Sequence, residues 1–192
     1  ALMTSGAARP ARGTGAAVGV GLGARLPLAD VGRMDGLLDL LADQPFNGRA
    51  DLPQLAEESE LTDAQLLPLA EALSLLRLAQ LDSGDLQLTP LGRSYVEASH
   101  VLRQDIFGQQ LLAHVPLVAH IRHSLEQEHN GRLPAKPLQR LLDEHLEEAV
   151  ARKVLDTAIS WARHGEVFEY DYRAGVLHLP TGEDAPTGVS SA

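Results

Sequence analysis

The chain has 192 residues and 44% hydrophobic side chains, with 26 acids against 16 Lys and Arg for a net charge of −10. That composition is globular, long enough for one large core or two small ones, and its acidity argues against nucleic-acid binding, which needs a basic face. The lack of cysteine excludes disulfides, Fe–S clusters and thiol chemistry. No apolar run reaches a membrane span and no charged-then-hydrophobic secretion signal opens the chain, so a cytoplasmic protein is expected.

Residues 1–25 are rich in Ala and Gly (Gly13, Gly15, Gly19, Gly21, Gly23), lack a periodicity that buries a face, and read as a flexible linker. Gly13-Thr-Gly15-Ala-Ala-Val-Gly19 superficially matches a phosphate-binding loop. No strand precedes it, however, no helix follows it, and Gly-Lys-Ser/Thr is absent. Residues 181–192 read as a disordered tail. Charge is unevenly spread: residues 1–29 carry three Arg and no acid, and residues 30–99 carry 13 acids and 4 bases. Residues 100–180 are nearly balanced, with 11 acids and 9 bases.

The first folded block is assigned to residues 26–99. Asp30 caps a helix over 31–42 with Met34, Leu37, Leu38 and Leu41 on one face. Asp51 opens a short helix through Glu58 with Pro53 in its first turn. Thr62 caps a third helix running to about Ala79, with Leu66, Leu69, Leu73 and Leu76 as its stripe. Leu78-Ala-Gln-Leu81, the turn Asp82-Ser-Gly-Asp85 and Leu86-Gln-Leu88 then form a hairpin. Thr89-Pro90 starts another helix through Leu91, Tyr95 and Val96. Three helices followed by a small hairpin is the winged-helix order.

The second block, residues 100–180, repeats it. Two helical segments, 101–113 and 116–128, are broken at Val115-Pro116, because a residue before proline leaves the helical region. The second of them serves as the first helix of a second winged unit, ended by Asn130-Gly131. A short helix spans 137–142, and a long one spans 147–164 with Val154, Leu155, Ala158, Ile159 and Trp161 apolar. Gly165 is the expected C-cap. Residues 166–170, 171–175 and 176–179 read as strand, turn, strand. The fold class expected is mainly α with small β-hairpins (α+β): tandem winged-helix units joined by a broken helical pair.

Three runs carry a family resemblance: Leu88-Thr-Pro-Leu-Gly-Arg93, Gln110-Leu-Leu-Ala-His-Val-Pro-Leu-Val-Ala-His-Ile-Arg122 and Trp161-Ala-Arg-His-Gly-Glu-Val-Phe-Glu-Tyr170. Over roughly residues 26–180 the chain resembles the AAA-associated C-terminal domain found behind the ATPase domain of ABC-transporter ATP-binding subunits of the nitrate/sulfonate/taurine/bicarbonate import group. Leu2-Met-Thr-Ser5 then looks like the last turn of the preceding ATPase domain. The resemblance implies a non-catalytic accessory, regulatory domain at the inner face of the membrane. Its partners would be its own upstream ATPase domain or a paired ATPase subunit, a membrane permease through that motor, or a second copy of the chain. It implies no nucleic-acid contact and no membrane insertion. No cofactor is expected here: ATP and Mg would belong to the upstream domain, since these residues hold neither a phosphate-binding lysine loop nor a Leu-Ser-Gly-Gly-Gln signature. No catalytic residue is carried over.

Other chemistries compete with purely structural roles for the same residues. A winged-helix transcriptional regulator would present its third helix to DNA, but that helix offers Asp63, Glu71 and only Arg77, and its wing tip is Asp82-Ser-Gly-Asp85. In the second block Arg152, Lys153 and Arg173 are countered by Glu147, Glu148, Asp156, Glu169 and Asp171. Metal or small-molecule sensing would use His114, His120 and His123, with His129, Glu126 or Glu128 nearby. His120 and His123 stand one helical turn apart, yet no His-Glu-x-x-His occurs. The competing reading has His114 and His120 packing beside the Pro116 break, with His123 and His129 in solvent. Hydrolase chemistry lacks a Gly-x-Ser-x-Gly elbow, and adjacent acids such as Glu57-Glu58 diverge on a helix. Trp161 and Phe168 are assigned to the core. Phe46, Tyr170 and Tyr172 are the candidate partner-contact residues.

Overall fold

The computed structural model describes residues 21–22, 24 and 26–181. The linker and tail expected over 1–25 and 181–192 therefore lie almost wholly outside the described residues. Leu22, within the first of these stretches, is buried in the core.

The described chain is mainly helical, with two small antiparallel sheets. Helix α1 (Val31–Ala42) starts where the Asp30 carboxylate accepts from the Arg33 amide at 3.0 Å, and buries Met34, Leu37, Leu38 and Leu41. Strand β1 (Arg49–Asp51) leads straight into α2 (Leu52–Glu58), whose cap is the Asp51 carboxylate bonded to the Gln54 amide at 2.7 Å. Helix α3 (Asp63–Leu75) opens with the Gln65 side chain accepting from the Thr62 amide at 3.0 Å. Strands β2 (Ala79–Asp82) and β3 (Asp85–Leu88) meet at Ser83-Gly84. Both turn residues have positive φ, as a two-residue hairpin loop requires. Helix α4 (Pro90–Glu97) is capped by the Thr89 hydroxyl, which accepts from the Gly92 amide at 2.9 Å.

Helices α5 (His100–His114) and α6 (Pro116–Gln127) are separated at Val115, whose φ of −117° and ψ of 92° are extended, as the following proline demands. Then come β4 (Arg132–Pro134), α7 (Ala135–Asp143), α8 (Glu148–His164), β5 (Glu169–Asp171) and β6 (Val176–His178).

The two halves share one plan. Sheet order is β1-β3-β2 in the first and β4-β6-β5 in the second. The first residue of each short helix donates to the glycine of the following hairpin turn: Leu52 to Gly84 at 2.9 Å, and Ala135 to Gly175 at 3.0 Å. Each last strand is followed by a residue bonded back to the glycine that opens the sheet, or ends in one: Leu88 to Gly48 at 2.8 Å and Leu179 to Gly131 at 3.2 Å.

The structure departs from the sequence reading at three places. Strands β1 and β4 turn each expected hairpin into a three-stranded sheet. Helix α3 stops at Leu75 rather than near Ala79, because Arg77 takes φ 61° and the Leu78 amide bonds the Leu73 carbonyl at 3.0 Å. Helix α8 ends the same way: Gly165 is its C-cap, as expected, but with φ −82°, and the left-handed residue is the next one, Glu166 (φ 52°), with Val167 bonded to Ala162 at 2.8 Å. That closure also delays β5 to Glu169.

The core is one continuous apolar cluster spanning both halves. Trp161 of α8 is fully buried, and its indole N–H donates to the Ala29 carbonyl at 2.8 Å, just ahead of α1. The Gln110 side-chain amide donates to the Leu76 carbonyl at 2.9 Å, and one Arg122 N–H to the Val167 carbonyl at 2.7 Å. The residues that carry the family resemblance thus join elements distant in sequence. Gly92 belongs with them: a Cβ there would collide with the Leu78 carbonyl group.

Candidate functional site

Polar side chains come together at the junction of α1, α4 and α5. The buried Tyr95 hydroxyl donates to the Asp35 carboxylate at 2.6 Å, and Arg103 donates to Asp39 at 3.0 Å and to the Val96 carbonyl at 2.6 Å. The Arg103 guanidinium lies 5.3 Å from the centre of the Tyr95 ring. Burial, then the bond to Asp35, push the Tyr95 phenol above its ordinary value, and the bond to Asp39 strengthens the Arg103 cation. A phenol held this firmly protonated is no base. The cluster clamps three helices together. The apolar stripe of α4 pointed to Tyr95 as a packing residue, but Asp35, its partner, and Asp39, the partner of Arg103, carried no sequence signal, being acids on an amphipathic helix.

His164 is a second group that the sequence did not single out. Its ring stands edge-on to Phe107 with centroids 4.9 Å apart, and its Nε2 is buried without a hydrogen-bond partner. Desolvation lowers its pKa, aided by His100 and opposed by Asp35.

The histidines proposed from sequence are dispersed. His114 ends α5 half-buried and lines a cavity of about 600 Å³ with Glu71, Ser74, Leu75, Arg77, Leu81 and Ala113. His120 is half-buried on α6, and its carbonyl accepts from the Ser124 hydroxyl at 2.9 Å; His123 and His129 are exposed. Among the described residues no three His, Cys, Asp or Glu side chains are placed to hold a metal ion.

Of the contact candidates, Phe46 is half-buried and packs on the core beneath the turn before β1. Tyr170 and Tyr172 pack edge-to-face at 4.7 Å; Tyr170 leans on the core while Tyr172 is 69% exposed. Arg163 of α8 bonds Glu169 at 3.0 Å and lies 5.5 Å from the centre of the Tyr172 ring, so this aromatic patch is stiffened from beneath. The bond to Glu169, then that to Tyr172, hold Arg163 charged.

The surface of the first half is acidic where a DNA reader would be basic. Helix α3 contains Asp63 and Glu71, both exposed, and no Lys or Arg. At the adjoining sheet end, register sets Asp51 opposite Asp85 and Asp85 opposite Asp82, a row of three carboxylates across the strands. Arg49 neutralises Asp85 at 2.6 Å, leaving Asp51 and Asp82. Beside this row lies an apolar groove of about 300 Å³ lined by Leu52, Pro53, Asp63, Leu66, Leu67 and Gly84. Leu67 is 44% exposed, a large apolar side chain on the outer face of α3. On α8, Arg152 is paired to Glu148 at 3.1 Å. Among the described residues no helix is long and apolar enough to cross a membrane.

The family model described as "C-terminal AAA-associated domain" matches residues 53–171, more than half of the chain. Neither the curated proteins nor the solved structures compared with the chain yield a match.

Proposed function

Because the chain belongs to the C-terminal AAA-associated domain family, we propose that it is the non-catalytic accessory module of an ABC-type ATP-binding subunit of the nitrate/sulfonate/taurine/bicarbonate import group, acting by protein–protein contact. In this reading each half is a winged-helix unit, supported by the repeated order of helix, strand, two helices and two strands. The observation that carries the choice of polypeptide over DNA is the charge of α3 and the β2–β3 end. Carboxylates there would repel phosphate, where a DNA reader releases counterions with lysine and arginine. ATP and Mg are handled by the nucleotide-binding domain of the same assembly, and the module works on the cytoplasmic side of the transporter.

Mechanistically, a tethered module sits at high local concentration beside its target. It shifts the motor between open and closed states to the extent that it binds one of them better. The Tyr95–Asp35 and Arg103–Asp39 clamp holds α1, α4 and α5 together. Crosslinking mass spectrometry on the intact ATP-binding subunit tests the reading: crosslinks from this module to the nucleotide-binding domain or the paired subunit are expected. A module crosslinked only to itself, with an ATPase rate unchanged by its deletion, overturns it.

A further inference from the structure

We propose that the groove between α2, α3 and the β2–β3 turn is a docking slot for a short amphipathic segment of a partner protein, one that inserts an aliphatic or aromatic side chain and flanks it with Lys or Arg. The proposal deepens the accessory-module reading and rests on it for the source of the segment. The floor is apolar: Leu66 is buried and Leu52, Pro53 and Leu67 form the walls, so a bare apolar side chain is stabilised on entering. A volume of about 300 Å³ takes a side chain or two, not a whole helix. Charge complementarity selects the flanks. Asp63 lines the slot, and Asp51 and Asp82 stand at the sheet end next to Gly84, while Arg49, two residues before Asp51 on β1, is already engaged by Asp85. A phosphorylated or acidic segment meets like charge on entering, and a basic one meets opposite charge. The other half offers a contrast: Ala135 and Gly175 occupy the places of Leu52 and Gly84, and the helix opened by Ala135 continues with Lys136. Glu148 and Asp171 hold the places of Asp63 and Asp82 there, but Glu148 is paired with Arg152 and the wall residue Leu52 is replaced by the small Ala135.

The test is a heteronuclear NMR titration of the full chain with three synthetic peptides: one placing Leu and Lys at helical spacing, one with Leu and Glu, and one with Ser and Lys. Shifts are expected at Leu52, Leu66, Leu67 and Gly84 with the Leu/Lys peptide alone, weakened by salt. Leu67→Glu is expected to weaken binding about tenfold or more while leaving the thermal midpoint unchanged, since Leu67 is on the surface. Asp63→Asn with Asp82→Asn should reduce the salt dependence, since only Asp51 of the three carboxylates then remains. Equal binding of the Leu/Glu peptide, shifts centred elsewhere, or no effect of Leu67→Glu overturns the slot. A slot that binds the peptide in a module that never crosslinks to its ATPase instead overturns the accessory reading and leaves the slot standing.

Discussion

Gly108 of α5 and Gly165 at the end of α8 meet backbone to backbone. A Cβ on Gly165 would lie 2.8 Å from the Gly108 Cα, and one on Gly108 would strike the Gly165 carbonyl oxygen. The helix crossing depends on the absence of both side chains. Gly108→Ala is expected to cost about 1–3 kcal/mol, the usual penalty for overfilling a packed contact. Chemical denaturation of the full chain checks it. A midpoint equal to wild type would mean that the helices separate without loss.

Trp161 tests the bond that reaches back across the chain to Ala29. Trp161→Phe keeps an aromatic ring but leaves the Ala29 carbonyl without its buried donor. The expected loss is about 1–3 kcal/mol from the unmet hydrogen bond, with the smaller ring adding a cavity. Amide exchange should quicken first near Ala29 and α1.

Tyr95→Phe removes the donor to Asp35 and is expected to destabilise by about 1 kcal/mol. Its pH signature is distinctive. Burial and the Asp35 bond raise the folded-state pKa of the phenol, so its contribution is complete below the ordinary tyrosine value of 10.0 and declines as pH climbs beyond it. Alkaline unfolding should therefore lose this component in the variant.

His164 titrates with the opposite consequence. Desolvation depresses its folded-state pKa, so the unfolded chain takes up a proton first as pH falls below the ordinary value of 6.5. Stability is expected to be full above that value and to decline as pH falls below it. His164→Gln should flatten this slope in melts recorded from neutral to mildly acidic pH.

Electrophoretic mobility shift on duplex DNA at low salt gives a further expectation: no retarded band at micromolar protein. Tight binding there would contradict the polypeptide-binding assignment drawn from Asp63, Glu71, Asp82 and the rest of the acidic surface.

The starts of most helices were legible because caps are local. Asp30, Asp51 and Thr89 each bond an amide three residues on, within reach of their own turn. The hairpin at Ser83-Gly84 was equally plain, being two alternating runs around a turn that glycine favours. Helix ends were less so. Arg77 and Glu166 hold left-handed conformations that their residue types do not advertise, and only the closing bonds of Leu78 and Val167 reveal them. Among the residues singled out for function, His120 and His123 had spacing without convergence: among the described residues no set of three ligating side chains gathers.

The amino-acid order alone therefore determined the helical character, the repeated plan and the acidity of the first half, all properties of neighbouring residues and of summed charge. Tertiary structure decided the rest: strands β1 and β4, three residues each and held by partners far along the chain; the Gly108–Gly165 crossing; the burial of His164; and the groove beside Leu67. Each of these depends on which distant surfaces meet, and a local pattern carries no record of that until the core has closed around it.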